Sequence, residues 1–293
     1  MIRVVKLLAV DLDGTLLNEE SRISQKNLDA IKYAQSNGVE VIIATGRAHF
    51  DVIEIFKDTG LKTWIIAANG ATIHQPNGEL FHSKAINHED AITILSWLEN
   101  ENFYYEVFSN HSIFTPQNGR ELLAIEMDRL KSANPDVSIE KLKYAAEKQY
   151  SQMGFSFIKS YQDLIGMKED IYNILAFSFH EEKLKKGSSQ FEYLEDITIV
   201  SSAKHNFEFE HKYASKGIAL EILANKLGIP LTDTAAVGDS FNDLSMMRAA
   251  GKSIAMGNAL EEIKDLCNEV TLPNVEDGVA HLIYSLIPVT ADY

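Results

Sequence analysis

The sequence predicts an α/β protein, a parallel sheet flanked by helices, with a second, differently built region inserted into it. Three observations predict this. Short apolar runs alternate with amphipathic stretches at both ends of the chain, the pattern of βαβ units. Those runs end in polar and glycine-containing turns, as strands feeding helices do. Between them, from about residue 85 to about residue 205, long polar helical stretches and aromatic runs point to an α+β module with an antiparallel sheet. The expected division is a discontinuous core domain, 1–84 and 206–293, and an inserted cap domain, 85–205.

The run Val4-Val5-Lys6-Leu7-Leu8-Ala9-Val10 is the first buried strand. Residues 24–37 form a helix, with Ser24 as cap, Leu28, Ile31 and Ala34 inward, and Gly38 as stop. Val39-Glu40-Val41-Ile42-Ile43-Ala44 is the second strand, and a helix over about 48–59 ends at Gly60. Trp64-Ile65-Ile66-Ala67-Ala68 is the third strand. In the middle, helices are expected at about 88–101 and 119–131, strands at 103–108 and 171–179, and a polar loop at 183–190. Beyond it come a helix from Ser215 to about Gly228 and the strand Ala235-Ala236-Val237. A helix at about 241–250 stops at Gly251, the strand Ser253-Ile254-Ala255-Met256 follows, and a last helix runs through Cys267.

Composition narrows the function classes. A net charge of −15 argues against a nucleic-acid partner, which needs a basic surface. It does not oppose a small anionic substrate, because local field can differ from global charge. The single cysteine excludes an internal disulfide and a cysteine-cluster metal site. No apolar run reaches the roughly 20 residues of a membrane span, and the N-terminal run, broken by Lys6, is a poor secretion signal. A cytoplasmic location is therefore expected, and the sequon at Asn110-His111-Ser112 carries no meaning there. The nine histidines show no metal-ligand spacing. Gly251-Lys252-Ser253 lacks the earlier glycine of a nucleotide loop, and no G-x-G-x-x-G is present.

The chemistry gathers at strand exits, where open α/β sheets bind ligands. Asp11 and Asp13 follow the first strand, and i, i+2 side chains leave extended backbone on the same side. Thr45-Gly46-Arg47 follows the second strand, and Gly238-Asp239-Ser240-Phe241-Asn242-Asp243 follows the Ala235 strand. Lys216 opens a helix within Ser215-Lys216-Gly217. Each fragment alone reads as a cap, a turn or a solvated charge. Together they supply what transfer from a phosphate monoester needs. A carboxylate attacking a dianion requires positive charge nearby. Mg²⁺ held by Asp11, Asp239 and waters would provide it, and the Lys216 ammonium would add a second positive charge. The Thr45 hydroxyl and the Gly46 N–H would hold phosphate oxygens at a helix N-terminus. Asp11 then attacks phosphorus, and Asp13 serves as acid and base.

This set resembles the haloacid dehalogenase superfamily of phosphatases, and within it the Cof-type group with a type IIB cap. The likeness rests on Asp11-Leu12-Asp13-Gly14-Thr15, Thr45-Gly46-Arg47, Lys216 and Gly238–Asp243 in that order, with Ala68-Asn69-Gly70-Ala71 and Met256-Gly257-Asn258-Ala259 beside them. The resemblance implies a Rossmann-like core and a Mg²⁺-dependent hydrolase acting through an aspartyl phosphate. Asp11 would be nucleophile and metal ligand, Asp13 acid/base with its backbone carbonyl on the metal, and Asp239 a further ligand. Thr45, Gly46, Lys216 and Asn242 would contact phosphate. Asp243 would brace the metal waters or Lys216, and Asn69 and Asn258 would line the site near the cap hinge. Turn chemistry beside Gly70 and Gly257 explains those two asparagines equally well, and Arg47 is read as pairing with an acid across the helix start.

The insertion is expected to close over the site as a lid, with Tyr104, Tyr105, Glu106, Phe114 and Asn118 as candidate contacts to the leaving group. An aromatic stripe of this kind is more often sheet core. The His49-Phe50 pair reads either as reaching the pocket mouth or as a surface helix turn, and His211 as a local hydrogen-bonding residue. The expected partner is a small phosphorylated metabolite of the sugar phosphate, flavin or pyridoxal phosphate class, with no nucleic acid and no membrane. Two competing readings keep the acids: a phosphotransferase or sugar phosphate mutase, and a phospho-accepting regulatory module. The second carboxylate and the large insertion argue against the module, whose aspartyl phosphate should persist.

Overall fold

Strand residues in the outer thirds of the chain are buried on both faces, which requires a sheet covered on both sides. Along Leu7–Val10 and Glu40–Ala44 the side chains alternate between two cores. Leu8, Val10, Val41 and Ile43 pack with Ile31, Val52 and Ile283. Leu7, Ala9, Ile42 and Ala44 pack with Leu220, Leu223, Met246 and Ile263. The computed structural model describes residues 5–134, 136–150 and 152–287 in two units, 1–83 with 214–293, and 84–213.

In the first unit the sheet runs Glu269–Val270, Lys252–Ala255, Thr234–Gly238, Leu7–Val10, Glu40–Ala44, Ile65–Ala67, Thr72–His74, Leu80–Ser83. The pairs are parallel as far as Ile65–Ala67, and the last two strands are antiparallel. Strand order reverses on either side of Leu7–Val10, so a switch point opens between it and Thr234–Gly238. The helix Gln25–Ser36 begins as expected, with Ser24 accepting the Asn27 N–H at 3.1 Å. Val4 lies outside the described residues, and the first strand is Leu7–Val10.

The second unit contains a sheet in the order Ile197–Val200, Asn206–His211, Ile171–Phe177, Tyr104–Ser109, Ile113–Pro116, Phe155–Ile158, antiparallel except for its last pair. One face carries Tyr105, Val107, Ile174, Ala176, Phe207 and Phe209, packed on Ile94, Leu95 and Leu98 of His88–Asn100. The other face carries Glu106, Leu175 and Glu208 in one row and Phe108, Asn173 and Glu210 in the next.

Several expectations are corrected. The strand Asn206–His211 pairs with Ile171–Phe177, so residues 206–213 belong to the inserted unit rather than to the core. Residues 183–190, expected as a loop, lie largely in the helix Glu181–Ser189. Its lysines hide the inward face: Lys183 bonds Glu126 at 2.7 Å and stands 4.3 Å from the Phe103 ring, and Gly187 abuts Phe207. Cys267 is outside a helix, since Glu261–Lys264 ends earlier, and its Sγ lies 3.5 Å from Met247 Sδ. The expected helix at 241–250 is a 3₁₀ turn, Phe241–Asp243, followed by Leu244–Ala249. The helices Ile139–Gln149 and Gly278–Leu286 were not expected. No helix among the described residues is long and apolar enough to cross a membrane.

Candidate active site

Asp11 sits at the end of the central strand, in extended backbone and 4% exposed. The chain then turns at Gly14, whose φ is +78°, and a Cβ there would stand 2.4 Å from Asp239 Oδ2. The turn therefore brings two strand ends together only with glycine at this position. Asn258 Nδ2 donates to Gly14 O at 2.8 Å, while its Oδ1 accepts the Asn274 N–H at 2.9 Å. Asn258 thus braces the turn that carries Asp13.

Lys216 is the electrostatic centre. Its side chain is fully buried, and Nζ donates to Asp11 Oδ1 and to Asp243 Oδ1, both at 2.7 Å. Burial works against the lysine charge, but Asp11 and Asp243 outweigh it and hold the ammonium above its usual value. The Asp11 carboxyl is pushed well above the usual carboxylate range by burial and then by Asp243, with Lys216 pulling it back. One shared ammonium does not offset a buried carboxylate that faces two other acids. Asp243 is occupied on both oxygens, since Oδ2 accepts the backbone N–H groups of Asp239 and Ser240 at 3.0 Å each. Carboxylate oxygens of Asp11, Asp239 and Asp243 lie within 4.8 Å of one another. Three acids beside one ammonium leave an excess negative charge that fits a hard divalent cation. With Asp243 committed to Lys216 and the backbone, Asp11 and Asp239 are the acids suited to hold it.

The second strand end supplies Thr45 and Gly46. Thr45 is buried, and its Oγ1 accepts the Arg47 N–H at 3.1 Å. A Cβ on Gly46 would stand 2.9 Å from Asn69 Oδ1, which accepts from Asn242 Nδ2 at 3.1 Å. Asn69 lies in a left-handed turn, φ +52°, and the adjoining Gly70 has φ +101°. A Cβ on Gly70 would meet Ser215 O at 2.2 Å, so this turn presses against the start of the Lys216 helix. Turn chemistry and contact with the site residues thus coincide at Asn69.

Arg47 does pair across the helix start, with Asp51 at 2.5 Å. It also grips Asp13 with two bonds, Nε to Oδ2 at 2.7 Å and Nη2 to Oδ1 at 2.8 Å. Burial disfavours the guanidinium charge, yet these two acids raise its pKa further. Asp51 was absent from the expected site, although its i+4 spacing from Arg47 was a visible signal. His49 opens the helix His49–Phe56, partly buried, and stacks on His74 with ring centroids 3.5 Å apart.

A family model for haloacid dehalogenase-like hydrolases matches residues 8–283. The chain belongs to that family. It is 56% identical over 285 residues to Phosphatase YwpJ of Bacillus subtilis, covering 97% of this chain and 100% of that one. It is 41% identical to the B. subtilis 5-amino-6-(5-phospho-D-ribitylamino)uracil phosphatase YwtE, over 97% of this chain and 98% of that one. A solved haloacid dehalogenase-like hydrolase from B. subtilis shares 56% identity with a TM-score of 0.85, covering 96% of this chain and 100% of that one.

Within this hydrolase the candidate cap residues separate. Tyr105 and Phe114 belong to the apolar core of the inserted unit. Tyr104 and Glu106 lie on the opposite face, with Tyr104 Oη donating to Glu106 Oε1 at 2.6 Å. Asn118 precedes the helix Gly119–Ala133 without a capping side-chain bond. His211 is a local hydrogen-bonding residue, its Nδ1 accepting the Tyr213 N–H at 3.0 Å.

Proposed function

We propose that this chain is a Mg²⁺-dependent phosphomonoester hydrolase that works through an aspartyl phosphate on Asp11. As a haloacid dehalogenase-like phosphatase it acts on small phosphorylated metabolites. The observation that carries the finer reading is Lys216 Nζ at 2.7 Å from both Asp11 and Asp243, with Asp239 completing the acid cluster. Mg²⁺ would be held by Asp11, Asp239 and the Asp13 backbone carbonyl, and when bound it supplies positive charge to the phosphate oxygens.

The protein groups do the rest. Lys216, held charged and oriented by Asp243, stabilises the phosphoryl oxygens as charge builds. Thr45, Gly46 and Asn242 hold the same group in line with Asp11. An Asp11 oxygen bonds to phosphorus as the bond to the leaving oxygen breaks, and Asp13 gives that oxygen its proton. Asp13 then takes a proton from water, the hydroxide oxygen bonds to phosphorus, and phosphate leaves with Asp11 restored. Asp13 must exchange the Arg47 guanidinium for the leaving oxygen to do this, so Arg47 and Asp51 set its position.

Hydrolysis of p-nitrophenyl phosphate tests the reading. Activity should vanish in excess chelator, return with Mg²⁺, and leave a labelled aspartyl peptide at Asp11 after an acid quench. Full activity in chelator would overturn the metal assignment, and label at another residue would overturn the nucleophile.

A further inference from the structure

The chain that follows Asp11 is not a regular element, and its carbonyl groups are held by side chains from elsewhere. Asp13 and Gly14 depart from helical backbone within Leu12–Leu16, and the Leu17 N–H closes the turn on Leu12 O at 2.9 Å. Asn258 Nδ2 donates to Gly14 O and Asn274 Nδ2 to Leu17 O, both at 2.8 Å, from 244 and 257 positions along the chain. Asn27, 1% exposed, reaches Leu16 O with its Nδ2 at 3.4 Å. Two of these amides are tied at their oxygens as well. Asn258 Oδ1 accepts the Asn274 N–H, and Asn27 Oδ1 accepts the Ala280 N–H, each at 2.9 Å. With one end donating and the other accepting, both amides have a single orientation, since a flip would set like groups together at each end.

These bonds lead back to one segment, Asn274 to Ala280, and that segment is stiff. The Glu276 and Gly278 N–H groups both return to Pro273 O, at 3.0 and 3.1 Å, and the Asp277 N–H returns to Asn274 O at 3.3 Å. Thr271 Oγ1 donates to Gly278 O at 2.8 Å, and Asp277, with φ +59°, pairs with Lys26 at 3.3 Å. A Cβ on Gly278 would stand 2.0 Å from Leu272 O, so the loop closes only with glycine there. Gly14 O belongs to the peptide that directly follows the Asp13 carbonyl. Water would satisfy such a carbonyl about as well as an amide does. An amide carried on a stiff loop also fixes where the carbonyl lies, and a shift of about 1 Å at a reacting group can cost about a hundredfold in rate.

We propose that Asn27, Asn258 and Asn274 are positioning residues of the phosphatase reaction, a clamp by which the segment from Asn274 to Ala280 holds the turn from Asp11 to Leu17, and with it the carboxyl and carbonyl of Asp13. The proposal rests on the role given to Asp13 above. Asn274→Ala should lower kcat on p-nitrophenyl phosphate by about tenfold or more and leave KM within about twofold, because Thr45, Lys216 and Asn242 keep their places. Asn274→Asp keeps the shape but sets an acceptor against Leu17 O, and should lose as much. In both variants, amide hydrogen exchange over residues 11–17 should quicken by about tenfold in protein without metal or ester, with the strand Thr234–Gly238 unchanged. Asn268→Ala is the control. It removes two bonds to Ser253 on the neighbouring strand and should keep the wild-type kcat. Asn258→Ala is the second variant, used where thermal melting shows the Asn274 variants unfolded. Wild-type exchange over 11–17, a rise shared equally by Thr234–Gly238, wild-type kcat in Asn274→Asp, or an equal loss of kcat in Asn268→Ala would overturn the clamp. A wild type that leaves the ester intact would overturn the phosphatase reading instead. The exchange measurement then still judges the clamp, since it uses neither Mg²⁺ nor substrate.

Discussion

Two groups of buried carboxylates occupy this molecule and are held in different ways. At the parallel strand ends, Asp11 and Asp243 share the ammonium of Lys216, and Asp243 also takes two backbone N–H groups. On the polar face of the second sheet, Glu106 and Glu208 are held by neutral donors: Tyr104, Gln149 and Gln152 for one, Asn173 and Ser202 for the other. The first arrangement sets an ammonium against the burial and the neighbouring acid that push Asp11 up. The second lets a carboxyl titrate near neutrality. Burial raises both Asp11 and Glu106, and the donors of each pull back against it.

Replacing Asp11 by Asn breaks the first group at its reactive member. Turnover should fall by about a thousandfold or more with the circular dichroism spectrum unchanged. Lys216→Met converts the first group into one without its own cation, leaving Asp11 and Asp243 buried face to face. It should cost about 3–5 kcal/mol in urea unfolding, with part of the loss recovered in Mg²⁺. Glu106→Gln sharpens the second half of the comparison. The folded protein holds the Glu106 proton up to about 7, against 4.5 for a free carboxyl. Glu106 should therefore contribute a loss of stability as pH rises from 4.5 to about 7 and none above it, because through this group the native state binds the extra proton only in that window. The glutamine variant should lack that slope, a difference of roughly 2–3 kcal/mol at its alkaline end. Asn258→Ala tests the brace on the Asp13 turn and should be the smallest, about 1 kcal/mol in the same assay.

The same contrast explains what was legible in the sequence. Motif residues at strand ends announce themselves locally. Asp11 and Asp13 follow an apolar run at i, i+2, Ser24 and Ser215 cap helices, and Gly228 stops one. Their convergence on Lys216 was readable because parallel strands share one functional edge. The acidic face of the second sheet gave no such signal. Glu208 and Glu210 alternate with Phe207 and Phe209, which reads as a strand with one solvated face, yet both glutamates are buried. Their neighbour Asn173 lies more than thirty positions away on another strand. The helix Glu181–Ser189 was hidden because lysine stems do the covering that apolar side chains usually do. The antiparallel strands Thr72–His74 and Leu80–Ser83 were too short to register as a pattern.

The placement of the insertion has a consequence for synthesis on the ribosome. The centre strand Leu7–Val10 emerges early, but one of its neighbours, Thr234–Gly238, is made after residues 84–213 are complete. Until then half of the first sheet presents a raw edge, and Asp11 waits for a lysine that has yet to be translated. The guest domain is thus finished before its host. A released chain that ends just after residue 213 should carry a folded insert on a host that cannot close, a form open to proteases and chaperones.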